Sequence, residues 1–283
     1  MIRYTVPARV VVVGCNGFIG RALVNELKRL EINYLGLTKE EFNLLDKSTS
    51  DKLSEIINTD DQVVFISAIA PSKVVDDVIK SMLMAEIFCK SIEKISIKQL
   101  ILISSDSVYG DRSGIFTEES SCNPNSFHGL AQLSREIVFA NSSIKNLAIL
   151  RACAVYGSGD THNGYGPNRF INQIRNSETI KIFGDGLNYR DHIFIEDVVK
   201  LIIESLKINL VGKLNIVSGK SYSFFDVANF CKNIFNPKST IENLGSEGEI
   251  IEKHFDNSKI HDLFPNFSLF DLEKGLNSWK NRV

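Results

Sequence analysis

The chain has 283 residues, 43% hydrophobic and 23% charged, with 32 basic against 34 acidic side chains and a formal net charge of −2. At roughly 100 to 200 residues per domain, that length suits one large α/β domain or a large domain with a smaller lobe, and the composition excludes disordered, collagenous and coiled-coil chains. Near-neutral charge without a basic block argues against nucleic acid and anionic membrane as partners, and no apolar stretch approaches the ~18 residues of a membrane span.

The opening segment, MIRYTVPARVVVVG, reads as a first strand over residues 10–13 rather than a leader. Residues 21–30 follow as a helix with Leu23, Val24, Leu27 and Leu30 on one face. Short apolar runs at 34–37, 63–67, 100–104 and 147–150, separated by helix-length segments, give the rhythm of parallel crossover units whose strands are covered on both faces. Residues 1–155 are assigned to that sheet. Beyond a polar, glycine-rich loop at 158–166 come a helix over 168–176, a strand over 180–183, a helix over 197–206 and a strand over 214–217. Ser223 and Asp226 read as a capping pair opening a further helix, and the last helix is expected over 268–279. Residues 156–283 thus form mainly a small lobe, with some return to the main sheet, over the carboxyl edge where open α/β sheets bind ligands.

The cysteines Cys15, Cys89, Cys122, Cys153 and Cys231 are an odd number, widely spaced, which implies reduced thiols and a cytoplasmic location. The histidines are also scattered, so no metal site is expected.

The first strand runs into Gly14-Cys15-Asn16-Gly17-Phe18-Ile19-Gly20. Glycines let the backbone turn tightly and approach a pyrophosphate, while the start of a helix supplies N–H groups and a partial positive charge. The pattern sits between the strand and the helix that dinucleotide binding requires; the structural alternative is a tight turn. At the end of the second strand, where an acidic residue takes the ribose hydroxyls in NAD-selective sites, stand Thr38 and Lys39. A hydroxyl and an ammonium, helped by Arg21, suit the 2′-phosphate of NADP, which leans the reading of an NAD(P) cofactor toward NADP(H). Glu40 and Glu41 follow at once and keep NAD open.

Together with the glycine loop, three further motifs carry a family resemblance: Ser104-Ser105-Asp106-Ser107-Val108-Tyr109-Gly110, Leu150-Arg151 with Val155-Tyr156-Gly157, and Gly184-Asp185-Gly186 with Tyr189-Arg190-Asp191. The chain resembles the extended short-chain dehydrogenase/reductases, and more narrowly their NAD-dependent epimerase/dehydratase branch, whose members act on nucleotide sugars. The resemblance implies a Rossmann-type doubly wound parallel sheet with a smaller C-terminal α/β substrate lobe. It also implies a nucleotide-diphosphate sugar as substrate and a homodimer through a helix bundle. Ser105 takes the position of the catalytic Ser or Thr; its alternative is a serine capping a turn. Asp46 falls beside the adenine. Asn168, Arg169 and Arg190 fall in segments that hold the nucleotide diphosphate, and Phe183 in the strand that stacks on the base, against a bland reading as packed or surface groups.

The decisive departure lies in the next helix. The family places a Tyr and, four residues on, a Lys; aligned through Gly129 and Glu136, this chain has His128 and Gln132. Gln132 can still hydrogen-bond the nicotinamide ribose but carries no charge. An imidazole titrates near neutral pH unaided, so His128 can serve as an atypical acid/base, or else merely pack. His162, in the loop after Tyr156, is a second candidate by its resemblance to the epimerising reductases. Ser107 stands where family dehydratases have Glu and epimerising reductases have Cys, which disfavours 4,6-dehydration and weakens a complete fucose-synthase-like mechanism. The expected function is an NAD(P)-dependent oxidoreductase or epimerase of a nucleotide sugar in polysaccharide or glycoconjugate precursor synthesis. Against it stand a degenerate binding protein that acts as a sensor or complex subunit, and an enzyme whose missing group comes from another subunit or from substrate.

Overall fold

The computed structural model describes residues 5–245 and 248–282. The chain begins β1 (Val10–Val13), α1 (Phe18–Arg29), β2 (Tyr34–Leu37), α2 (Thr49–Ile56), β3 (Gln62–Phe65), α3 (Val75–Ser91) and β4 (Gln99–Ser105). It continues through β5 (Gly114–Phe116), α4 (Phe127–Ala140), β6 (Leu147–Ala152), β7 (Ala154–Tyr156), α5 (Pro167–Arg175), β8 (Ile180–Phe183) and β9 (Tyr189–Phe194). The remainder is α6 (Ile195–Lys207), β10 (Gly212–Ile216), β11 (Ser221–Ser223), α7 (Phe224–Phe235), β12 (Ile241–Leu244), β13 (Lys253–Phe255), α8 (Ser258–Leu263) and α9 (Leu272–Lys280).

Among the described residues six strands form the main sheet in the order β10-β6-β4-β3-β1-β2. β1 lies parallel to both β2 and β3, which aligns Val10 with Tyr34 on one side and with Gln62 on the other. The parallel pairings continue from β3 to β4 and from β4 to β6. The strands of the sheet's middle are buried along nearly their whole length, the reason they read as unbroken β-branched runs. Strand order reverses between β1 and β3, so the carboxyl ends of these two strands flank the place where such sheets bind ligands. On one face Phe65, Phe88 and Phe139 pack together, the Phe65 ring 5.0 Å from Phe88 and 4.9 Å from Phe139.

The chain passes between two compact units more than once. Of the described residues, the first comprises those up to Gly110, Ser121–Ala152 and Val199–Leu214; the second comprises Asp111–Ser120, Cys153–Val198 and those from Asn215 on. Buried polar groups explain the return of Val199–Leu214. The Gln62 amide, at the start of β3, donates to Gln99 Oε1 and Leu206 O, and the Gln99 amide donates to Leu210 O. Asp111–Ser120 leaves for the second unit because its strand β5 pairs in parallel with β13. In that unit β9 lies between β7 and β11, and β8 pairs with β12.

Helix starts follow local capping. Ser223 caps α7, its hydroxyl accepting from Asp226 N at 3.1 Å, as the sequence pattern indicates. The last helix begins at Leu272 rather than 268, because the Asp271 carboxylate accepts from Lys274 N and defines the first turn there. No described helix is long and apolar enough to cross a membrane.

Candidate active site

The glycine turn closes between β1 and α1. Gly14 has φ of +92°, and a Cβ on Gly20 would lie 2.2 Å from Gly14 O, so neither position accepts a side chain. Gly17 caps α1 without any side-chain bond to the helix start, and no acidic residue occupies the first turn, where Phe18 and Ile19 follow. Such an uncapped start, reached by a backbone that side chains cannot crowd, fits a pyrophosphate. Ser67, just beyond β3, abuts this turn: a Cβ on Gly14 would lie 2.8 Å from its Oγ.

The expectation of NADP finds no support at the end of β2. Thr38 Oγ1 donates to Glu41 Oε2 at 3.0 Å and accepts from Glu41 N, so the hydroxyl belongs to a turn with a carboxylate against it. Phosphate would meet that negative charge. Lys39 and Arg21 are exposed, and Arg21 donates to Asn16 O. Asp46 is exposed and accepts from Ser48 N, which holds its carboxyl below its usual range.

Ser105 ends β4 half-buried. Its hydroxyl accepts from Ser107 N at 3.2 Å, capping the short 3-10 turn over Asp106–Tyr109, and lies 3.3 Å from Asp106 Oδ1. Helix α4 starts directly against this turn, since a Cβ on Gly129 would lie 2.4 Å from Ser107 O. Glycine therefore brings the His128 segment up to the Ser105 turn. His128 Nδ1 accepts from Ser72 N at 3.4 Å.

Gln132, one turn on, is buried, and its Oε1 accepts a short bond from Arg135. Sequence reasoning passed over Arg135, although the spacing 128, 132, 135 puts it on the same helical face. Its guanidinium is buried, donates to Ser67 O at 2.9 Å and Ile103 O at 3.3 Å, and lies over the Phe65 ring. Burial lowers its pKa to about 10, with the Glu136 carboxylate opposing the shift, and it stays charged at neutral pH. Glu136 itself turns the other way and pairs with Arg151, while Ser104 Oγ donates to it at 2.5 Å. Arg151 also donates to Tyr109 OH. This buried cluster ties β4, β6 and α4 together beneath the Ser105 turn.

In the second unit, Phe183 is 53% exposed at the end of β8, and the Arg169 guanidinium lies over both its ring and that of Tyr165. Arg190 donates to Asp111 Oδ1 at 2.8 Å. Asn168 is consumed by its own loop: it accepts from Gly157 N and donates to Asp160 Oδ2. His162 is exposed, and its backbone N donates to Asp160 Oδ1.

A doubly wound parallel sheet with a glycine turn at the reversal of strand order defines a dinucleotide-binding α/β protein. The chain belongs to the NAD dependent epimerase/dehydratase family, whose model matches residues 10–216. It is 32% identical over 151 residues to an uncharacterised UDP-glucose epimerase of Bacillus subtilis (strain 168), covering 52% of this chain and 48% of that one. Here the chain spans about half the length of the curated relative it matches. A putative UDP-glucose 4-epimerase of Methanocaldococcus jannaschii is 25% identical over 283 residues, covering 90% and 92% of the two chains. UDP-glucuronic acid 4-epimerase from Bacillus cereus, a variant solved with a fluorinated UDP-glucuronic acid and NAD, superposes with TM-score 0.79 at 25% identity over 96% and 98% of the chains. The fold alone is shared with Thermus thermophilus UDP-glucose 4-epimerase, at TM-score 0.82, 18% identity and 97% and 100% coverage.

Proposed function

We propose that the protein is an NAD-dependent epimerase or reductase acting at a sugar carbon of a UDP-linked sugar, in cytoplasmic synthesis of polysaccharide or glycoconjugate precursors. The observation that supports this reading is the His128 ring, which accepts from Ser72 N on a helix packed against the Ser105 turn, in the unit that bears the glycine cradle. The NAD-bound, UDP-sugar-bound neighbours and the UDP-glucose epimerase relatives support it.

The glycine turn from Gly14 to Gly20 would hold the pyrophosphate, Asp46 the adenine end and Gln132 the nicotinamide ribose. Bound NAD supplies hydride exchange at the sugar carbon. Ser105 would hold the reacting oxygen, and His128 would accept its proton as hydride leaves the sugar carbon and return one as hydride comes back and the carbonyl becomes an alcohol. On the second unit, Arg169 and Arg190 suit a diphosphate, Arg190 exchanging its Asp111 partner for phosphate, and Phe183 offers an exposed face to the base. A second copy of the chain would cover the exposed apolar stripe of Val75, Ile79 and Met82 on α3 and Leu130 and Ile137 on α4.

The test combines thermal shift with NAD, NADP and UDP, turnover of UDP-glucose and UDP-glucuronic acid, and 4-keto-sugar reduction with NADH. NAD at about a hundred times its dissociation constant adds ~2.7 kcal/mol, a shift of several degrees. His128→Ala should keep that shift and lose turnover by about 100-fold. Unchanged turnover removes His128 from the mechanism, and absence of any dinucleotide shift removes the oxidoreductase reading. The same preparation should sediment at twice the chain mass; a monomer removes the dimer. One observation favours a second reading, a non-catalytic NAD- and nucleotide-sugar-binding protein: the Ser105 hydroxyl and Gln132 carbonyl are both engaged within the protein. Ligand shifts without turnover would establish it.

A further inference from the structure

Arg135 is a buried cation whose hydrogen-bond acceptors are all uncharged: Gln132 Oε1, Ser67 O and Ile103 O. Desolvating a guanidinium with no carboxylate bonded to it is costly even with Glu136 nearby and the Phe65 ring beneath it, and an apolar side chain of similar length would fill the space at no such cost. A purely packing role therefore does not account for it. Its position is informative as well. Ser67 abuts Gly14, so the charge lies one hydrogen bond from the glycine turn, at the carboxyl ends of β3 and β4.

The amide of Gln132 has one acceptor atom and one donor group, whereas a guanidinium has donors only. Whatever else surrounds the amide, the atom facing Arg135 has to be the oxygen, and the NH2 group is left on the other branch. We propose that Arg135 is a positioning residue, which fixes the Gln132 amide so that its NH2 group donates to the nicotinamide ribose. The proposal rests on the dinucleotide reading above. A lysine at 132 would set an ammonium against the guanidinium; with the cation at 135, one helical turn away, the ribose donor is an amide.

The experiment measures NAD and ADP affinity by calorimetry for the wild type, Gln132→Met, Arg135→Met and the double variant, with melting midpoints alongside. ADP shares the adenine and pyrophosphate of NAD but lacks the nicotinamide ribose. Each single variant should bind NAD about tenfold more weakly and ADP within about twofold of the wild type, the size of one lost hydrogen bond. The double variant should bind NAD no more weakly than Gln132→Met. Losses that multiply in the double variant, an equal fall in NAD and ADP, or undiminished NAD binding in Arg135→Met would each overturn the proposal. Should Arg135→Met fail to fold, Gln132→Glu decides. A carboxylate clasped by Arg135 should keep the midpoint at or above the wild type and keep ADP binding, yet lose NAD affinity about tenfold because it has no donor. A lowered midpoint there would show that Arg135 does not hold residue 132. A wild type that binds neither ADP nor NAD would overturn the dinucleotide reading and this inference with it, whereas binding of both with independent losses overturns this inference alone.

Discussion

Two buried carboxylates, one in each unit, are held in opposite ways. Glu136 accepts from Nε and one terminal nitrogen of the Arg151 guanidinium, at 3.0 and 2.7 Å, and from the Ser104 hydroxyl. Asp191 has no such cation among the described residues; it accepts from Ser218 N at 2.9 Å, Gly219 N at 2.8 Å and the Cys153 thiol at 3.3 Å. The consequences differ. Burial works against the Arg151 charge, but the Glu136 carboxylate outweighs it and holds the guanidinium above its usual range. At Asp191 burial dominates, and despite the three donors the carboxyl is pushed up to about 6. Neutral donors soften desolvation where a bidentate cation offsets it. The first arrangement is an ionic strut, and the second is a group that titrates within the folded state. Arg135 is the cationic counterpart of Asp191, a buried charge held by neutral partners, and it lies on the same helix as the strut.

Breaking the strut should have the largest effect on stability. Glu136→Ala leaves Arg151 buried without its counter-ion and should lower the free energy of unfolding by about 3–5 kcal/mol in urea titration. A loss under about 1 kcal/mol would mean that water reaches Arg151 and that the pair is not a strut at all.

The Asp191 arrangement predicts a pH dependence of definite sign. Its carboxyl titrates near 3.8 when unfolded and near 6 when folded, so between these values the folded state binds the extra proton. Stability from this group is present at low pH and is lost as pH rises from about 4 to about 6, by up to about 3 kcal/mol. Asp256 and Asp46, whose carboxyls are held low, contribute slopes of the opposite sign at lower pH, so the comparison has to be made between proteins. The difference in stability between the wild type and Asp191→Asn, followed from pH 4.5 to 7, should shrink or reverse in the stated direction. A flat difference would show that Asp191 is ionised in the fold throughout that range.

The contrast also marks what the sequence makes legible. Strands β1, β2 and β8 stand where the sequence pattern places them; in β1 a strand covered on both faces writes its burial directly into an unbroken valine run, whereas β8 alternates buried isoleucines with exposed Lys181 and Phe183. Helix α1 starts at Phe18, three residues before its apolar face becomes periodic, since the glycine turn itself sets its first residues. Strand β5 has no such signature: three residues long, it exists only through pairing with β13, more than a hundred residues away. At the site, His128 and Gln132 are singled out by the family resemblance, which aligns them with its Tyr and Lys through Gly129 and Glu136. Arg135 shares their face, but a charged side chain in a helix reads as solvent-facing, and only the fold shows it buried against Ser67 and Ile103. Asn168 shows the reverse. The family resemblance reads it as a ligand group, yet the fold spends both ends of its amide on the loop at Gly157 and Asp160.

The smallest expected effect separates the two arginines of the α4 region most finely. Gln132→Lys restores at position 132 the side chain that the family resemblance expects, and it would be a benign change if Arg135 were incidental. With Arg135 in place, the new ammonium lies where Gln132 Oε1 now accepts a hydrogen bond, so an attraction becomes a repulsion between like charges. The flexible lysine can relieve part of this by swinging toward water, and the net loss should be about 1–2 kcal/mol, seen as a lowered midpoint in thermal denaturation. Adding Arg135→Met should return that loss, which no independent effect of two core substitutions would do. Arg151, already neutralised by Glu136, predicts no such rescue. If Gln132→Lys alone melts with the wild type and gains NAD affinity, the two cations coexist, and Arg135 does not dictate the residue at 132.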